Sequence, residues 1–359
     1  MCNLANPMQQ QMNCDYHVHI GQYCRAYYYA DRVFAALKAC GTDELWFSST
    51  TSCMYCKESA AARADTTIYN NSPAAAELYQ SIRSEVQYAL EAAAELGIQA
   101  HALYWVVPDI HFLQTADISI ELAMRETPYE GFKIHPRAQN WDVQDACTAA
   151  LAEAVFAYAE RYAQRILIHC GDDPCESPLL FEPFIKKHPG VTVQLAHSRP
   201  LQETLTMLQN YPNTVCDTAM ASTETVTYIA AAGFASRIVY GSDFPIPHWH
   251  SVHPEYDPTE AELTEFCVRY FDRLAGKSIM EGGLPFAVKQ PRFNAETETA
   301  IDEAGALLQE KHRQNAIDPL ASCLMSWIRK STPLTQSVGV CSDIEIVSYI
   351  SFAVCIFVF

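Results

Sequence analysis

Short apolar stretches of strand length alternate along this chain with longer ones in which apolar residues recur every three or four positions. The first period is that of a β-strand and the second that of an amphipathic helix. The opening stretch is Asp15-Tyr16-His17-Val18-His19-Ile20-Gly21. Alternate side chains of a strand share a face, which sets His17 and His19 on one side and Tyr16, Val18 and Ile20 on the other. Further strands are predicted over 44–49, 99–107, 131–136, 165–171, 192–198, 213–219 and 237–243. Helices are predicted between and after them, over 30–40, 73–97, 109–126, 143–162, 179–187, 200–210, 223–232 and 258–274. Pro73 suits a first helical position and Gly97 a helix end.

Strands that alternate with helices imply a parallel sheet with right-handed crossovers. Eight such units between Asp15 and Leu274 match a closed (β/α)8 TIM barrel. An open doubly wound sheet competes, but no glycine-rich phosphate fingerprint follows the first strand. Beyond Leu274 the pattern breaks. Surface helices are expected over 294–311 and 318–330, and residues 346–359 are almost wholly apolar yet shorter than the ~20 residues of a membrane span. The fold class is therefore α/β, a TIM barrel over 12–276 with a C-terminal helical extension and apolar tail over 277–359. For that tail, packing on the barrel, a membrane anchor, a partner contact and a segment foreign to the domain all stay open.

Composition narrows the function classes. Of 359 residues 49% are hydrophobic, enough for a substantial core, and 24 Lys plus Arg face 42 Asp plus Glu, a formal charge of -18. An acidic surface repels phosphate backbones, so nucleic acid is excluded as a partner and a small-molecule substrate expected. No basic-then-apolar leader opens the chain, and the 14 cysteines are scattered, so free thiols in the cytoplasm are expected rather than a disulfide framework. Cys53 and Cys56 form a C-x-x-C without a second pair. A homo-oligomer stays open, and a membrane location is not expected.

Active sites of barrels form at the C-terminal ends of the strands. Those ends carry His17 and His19 on the first, Lys133 and His135 on the fourth, His169 on the fifth, His197 with Arg199 on the sixth, and Asp243 on the eighth. Imidazoles with a carboxylate make a donor set for one divalent metal ion, Zn²⁺ first, with Mn²⁺ or Fe²⁺ also compatible.

The H-x-H pair, the histidines after strands five and six, and G-S-D-F-P after strand eight resemble the amidohydrolase superfamily. GFKIHPR and AHSRP look most like its amidohydrolase-related branch of metal-dependent hydrolases and aminocarboxymuconate-semialdehyde-type decarboxylases. The resemblance implies that His17, His19, His169 and Asp243 bind the metal, that His197 is catalytic or orients substrate, and that Asp243 moves the water's proton. It implies hydrolysis of a C–O or C–N bond of a small carboxylate, lactone, ester or amide. The alternatives are non-oxidative decarboxylation on the same site and a barrel that binds metal or ligand without catalysis. A TatD-like nuclease fits less well, because GSDFP differs from its usual ending. Lys133 stands where binuclear members carry a carboxylated lysine, although this branch generally uses one metal. Lys133, His135 and Arg199 are the substrate-binding candidates. Arg137, Arg63 in a long 50–72 loop, and His248, His250 and His253 rank behind them.

Overall fold

The computed structural model describes residues 14–53, 73–111, 116–139 and 141–276. Arg63, Cys56, the C-terminal extension and the apolar tail lie outside the described residues. The strands are β1 (Cys14–Tyr23), β2 (Ala26–Tyr28), β3 (Glu44–Ser49), β4 (Gln99–Trp105), β5 (Tyr129–Ile134), β6 (Arg165–Ile168), β7 (Thr192–Leu195), β8 (Thr214–Asp217) and β9 (Ile238–Val239). β2 folds back antiparallel on the end of β1. The other eight run parallel in sequence order.

The ring closes where the segment after β9 meets β1. Tyr16 N donates to Tyr240 O at 3.0 Å, Asp243 N to His17 O at 2.7 Å, and His19 N to Phe244 O at 2.8 Å. A helix follows each parallel strand: Ala30–Ala39, Pro73–Leu96, Ala116–Glu126, Ala146–Tyr162, Glu182–Lys187, Leu201–Asn210, Thr223–Ile229 and Glu260–Gly276. This is the (β/α)8 barrel that the alternation predicts. Among the described residues no helix is long and apolar enough to cross a membrane.

Strand periodicity sorts the core into two layers. Val18, Ile20, Leu45, Phe47, Ala102, Tyr104, Phe132 and Ile134 form one buried cluster with helix residues such as Phe34, Leu37, Val155 and Phe156. Each large side chain there contributes about 1.5–3 kcal/mol on burial. Inside the ring a smaller cluster joins Cys14, Tyr16, Trp46, Leu103, Leu167 and Ala196. Tyr16 departs from the expected alternation, because pairing with β3 shifts between Asp15 and Val18. Such a bulge inserts a residue and resets which face follows. Tyr16 thus turns inward with Cys14, under the Arg165 guanidinium at 4.0 Å from its ring, while His17 and His19 keep their inward direction.

Other differences are local. Within the helix expected over 109–126, the described residues are helical over Pro108–His111 and Ala116–Glu126. The expected 179–187 helix begins as a 3₁₀ turn, Pro178–Phe181, and the 223–232 helix widens into a π turn over Ala230–Phe234. Strands six to nine are shorter than expected, so several candidate residues stand just past strand ends.

At the opposite end of the ring, three neighbouring strands are pinned by one histidine. His101 on β4 places Nε2 3.3 Å from Glu44 Oε1 on β3 and Nδ1 2.9 Å from Glu130 Oε2 on β5. Its ring stacks on Trp46 with centroids 4.4 Å apart. Burial works against the imidazolium, but the hydrogen bonds and charges of Glu130 and Glu44 outweigh it and carry the pKa up to about 9. Against an unfolded value of about 6.5, the folded state binds this proton more tightly. The resulting stability is fully present below about pH 6.5 and is lost as pH rises through about 9, amounting to at most about 3 kcal/mol. Urea unfolding of the wild type should therefore weaken over that window, and His101→Gln should flatten the change; an unaltered slope would remove the assignment.

Candidate metal centre

The inward residues at the strand ends converge. His17 and His19 lie on β1, Lys133 on β5 and Asp217 at the end of β8, while His135, His169, His197 and Asp243 stand just beyond β5, β6, β7 and β9. His197 and Asp243 sit at φ 66° and 58°, a region uncommon for side-chain-bearing residues and enriched at functional sites. Gly241 lets the closing segment approach β1, since a Cβ there would stand 2.8 Å from His17 Cβ.

His17 Nε2, His19 Nε2 and Asp243 Oδ1 form a tight triangle with sides of 3.2, 3.1 and 3.3 Å. Donor atoms about 2.0–2.2 Å from a tetrahedral ion stand roughly 3.3–3.6 Å from one another. The triangle approaches that spacing. His17, His197 and Asp243 likewise present ligand atoms within 4.8 Å of one another.

Tautomers follow from the fixed partners. Asp217 Oδ2 lies 2.9 Å from His17 Nδ1, and an ionised carboxylate only accepts, so Nδ1 carries the proton and Nε2 the lone pair. His197 Nδ1 faces the Ala219 carbonyl at 3.0 Å, which leaves its Nε2 as an acceptor. His19 Nδ1 rests on Ser48, 3.1 Å from its Oγ and 3.4 Å from its carbonyl. Several lone pairs and a carboxylate oxygen thus crowd one small volume, and the donor set fits a divalent cation.

The electrostatics agree. Burial pushes the His19 imidazolium down to about 4, partly offset by Asp243, and His197 to about 3 against the same carboxylate. Burial also lowers His135 and His169 well below the ordinary histidine value. For Asp243 burial acts upward, but the charge of His17, the hydrogen bond from His19 and the charge of His197 outweigh it and hold the carboxyl well below its usual range. Burial brings Lys133 down to about 8 against the pull of Asp243 and Asp217. Its Nζ lies 3.2 Å from His17 Nε2.

A cavity of about 720 Å³ opens over this cluster, lined by His19, Lys133, His135, His169, His197, Arg199 and Asp243. Arg137, Glu176 and His250 also reach it. The buried Arg199 Nε has no hydrogen-bond partner among the described residues. His250 belongs to a short helix, Ile246–Val252, rather than a loop, and His248 is buried with Nδ1 3.1 Å from the Tyr28 hydroxyl. His169 meets the cluster through His197, its Nδ1 lying 3.0 Å from His197 Nε2 and its Nε2 3.1 Å from Glu176 Oε1. His135 stacks on His169 with centroids 3.8 Å apart.

Two carboxylates escape sequence reasoning. Asp217 is buried and accepts from His17 Nδ1, Gln194 Nε2 at 2.7 Å, His197 N at 2.7 Å and Ala219 N at 3.1 Å. Its signal was available, an acid ending the one barrel strand between His197 and Asp243. Glu176 closes a 3₁₀ turn, Pro174–Glu176, in the loop after β6, and no periodicity marks it. Asp217→Asn puts an amide N–H where His17 and Gln194 donate. It should cost about 1–3 kcal/mol of stability and weaken divalent-ion binding about 10–100-fold, read by chelator competition. Wild-type affinity would show that the carboxylate does not set His17.

A comparison with curated proteins finds no match. Similar solved structures include a putative amidohydrolase from Staphylococcus aureus, at 13% identity and TM-score 0.47 over 83% of this chain and 99% of that one. A phosphotriesterase homology protein from Escherichia coli matches at 12% and 0.47 over 65% and 82%. A 5-carboxyvanillate decarboxylase from Sphingomonas paucimobilis matches at 11% and 0.43 over 85% and 99%. The family described as Amidohydrolase matches residues 64–268, more than half of the 359 residues, and the chain belongs to that family.

Proposed function

We propose that the protein is a metal-dependent hydrolase of a small carboxylate-bearing lactone, ester or amide. The observation that carries this reading is the triangle of His17 Nε2, His19 Nε2 and Asp243 Oδ1, with Asp217 holding the His17 lone pair toward it. These three residues would hold the ion, with His169 and His197 offering the neighbouring imidazole nitrogens. Zinc suits this donor set, and Mn²⁺ or Fe²⁺ would also be accepted. When bound, the ion supplies a Lewis acid that polarises a carbonyl and lowers the pKa of water to about 7.

The rest is the work of side chains. Asp243, kept ionised by its imidazole neighbours, takes the proton of the attacking water and passes it to the leaving group. Neutral His197, with Nδ1 committed to Ala219, presents an acceptor and steers that water. His135 Nδ1 accepts from Ala138 N at 3.3 Å, so its Nε2–H is the ring's donor. That N–H and the Lys133 ammonium are donors for a developing oxyanion. Arg199 brings its guanidinium to the same cavity and suits a substrate carboxylate.

The test is metal analysis of purified protein with two substrate panels run together, lactones, esters and amides against aromatic and unsaturated acids. Ring opening or ester cleavage without gas is expected; carbon dioxide release would move the reaction to decarboxylation on the same site. Asp243→Asn should lower turnover by about 10²–10⁴-fold, and His17→Ala should remove most of the bound metal. Full metal content in His17→Ala would defeat the reading, and bound metal without turnover on either panel would leave a non-catalytic barrel.

A further inference from the structure

Glu176 sits on the wall of the cavity, and nothing in the proposed reaction uses it. Its Oε1 lies 3.1 Å from His169 Nε2, and His169 Nδ1 lies 3.0 Å from His197 Nε2. The far end of this chain is fixed, because His197 Nδ1 can only donate to the Ala219 carbonyl. An ionised Glu176 fixes the near end, because it can only accept from His169 Nε2–H. A neutral His169 then carries its lone pair on Nδ1, facing the lone pair of His197 Nε2. Two imidazole lone pairs 3.0 Å apart repel unless a cation takes at least one of them, and that spacing is close to the roughly 3.3 Å between neighbouring positions of a tetrahedral coordination shell.

His135, His169 and Glu176 also present ligand atoms within 4.8 Å of one another, so a separate ion between them needs weighing. His135 Nδ1 accepts from Ala138 N, which places the proton of the neutral ring on Nε2 and removes it as a donor to a metal. His169 Nε2 and Glu176 alone make too few ligands for a second ion.

We infer that Glu176 is a positioning residue: it selects the His169 tautomer that turns Nδ1 toward His197, and so adds a second imidazole donor beside the His17, His19 and Asp243 triangle. This rests on the metal-dependent reading above. It gives His169 the same kind of carboxylate partner that Asp217 provides for His17, a pairing that orients ligating histidines and raises their basicity. The chain leaves room for it at Gly171, where any Cβ would stand within contact distance of Glu176 Oε2.

The experiment measures Zn²⁺ affinity of metal-stripped full-length protein by chelator competition, with the visible spectrum of the Co²⁺-loaded protein as a second readout. Glu176→Ala should bind Zn²⁺ about 10–100-fold more weakly and shift the Co²⁺ bands, at an unchanged melting temperature. Glu176→Gln should recover most of the affinity, because its amide oxygen still accepts from His169 Nε2–H. Gly171→Ala should reproduce the Glu176→Ala loss while leaving the carboxylate in the chain. Wild-type affinity and an unshifted spectrum in Glu176→Ala would overturn the inference, as would a Glu176→Gln variant as weak as the alanine. His17→Ala in the same assay separates the two readings. Weakened binding there with wild-type binding in Glu176→Ala overturns this inference alone, whereas wild-type binding in His17→Ala overturns the metal site itself.

Discussion

The Asp217 carboxylate accepts four hydrogen bonds in a place closed to water, from His17, Gln194 and the backbone N–H groups of His197 and Ala219. Burying an unpaired carboxylate would be prohibitive, but hydrogen bonds to a charged group contribute about 1.5–3 kcal/mol each. One of the four comes from the turn after β7, where the donor, His197 N, belongs to a residue at a positive φ. A strained residue of that kind costs of order 1–3 kcal/mol and persists only where its surroundings over-determine it. The one charge-assisted bond from His197 N to Asp217 is of the size needed to offset that. The same carboxylate therefore settles the direction of the His17 lone pair and holds the backbone that presents His197.

Closure of the barrel and assembly of the mouth are one event. The bond from Asp243 N to His17 O and that from His19 N to Phe244 O belong to the seam joining the first and last parallel strands. Side chains from both sides of that seam form the donor triangle. A barrel that failed to close would lose the triangle along with the ring, even with every imidazole still in the chain. Gly241 belongs to the same constraint, because its missing side chain brings the last segment against His17.

Most of this was readable from pattern, and the exceptions have physical causes. Alternating periods gave eight strand-helix units, since a strand packed under helices shows its outward face as a regular apolar stripe. The histidines at strand ends stood out because polar residues there interrupt that stripe. Tyr16 broke the rule because one inserted residue flips a face, and nothing in its neighbours' chemistry signals the bulge. His135, His169, His197 and Asp243 were expected within strands yet stand past their ends, where side-chain direction is set by turns rather than by pleat. Asp217 could have been found by asking which strand end lacked a candidate. Glu176 could not, for its place follows from a loop that only the folded chain brings back to His169.

The division of labour at the mouth follows from where each part is anchored. The donor triangle hangs on β1 and on the hydrogen-bonded seam, and Lys133 on β5, all tied to neighbouring strands. The cavity wall beyond them comes from turns and short helices that carry His135, Arg137, Glu176, Arg199 and His250. Strand-borne groups are held to sub-ångström tolerance by the ladder, as an ion requires. Loop-borne groups can change without disturbing the ring. Burial keeps the His19 imidazole neutral while Asp243 stays ionised beside it, so the rigid part of the mouth is an acceptor set that fits a cation. The replaceable wall would decide what such a cation acts on, and there Arg199 carries a buried donor without an acceptor among the described residues.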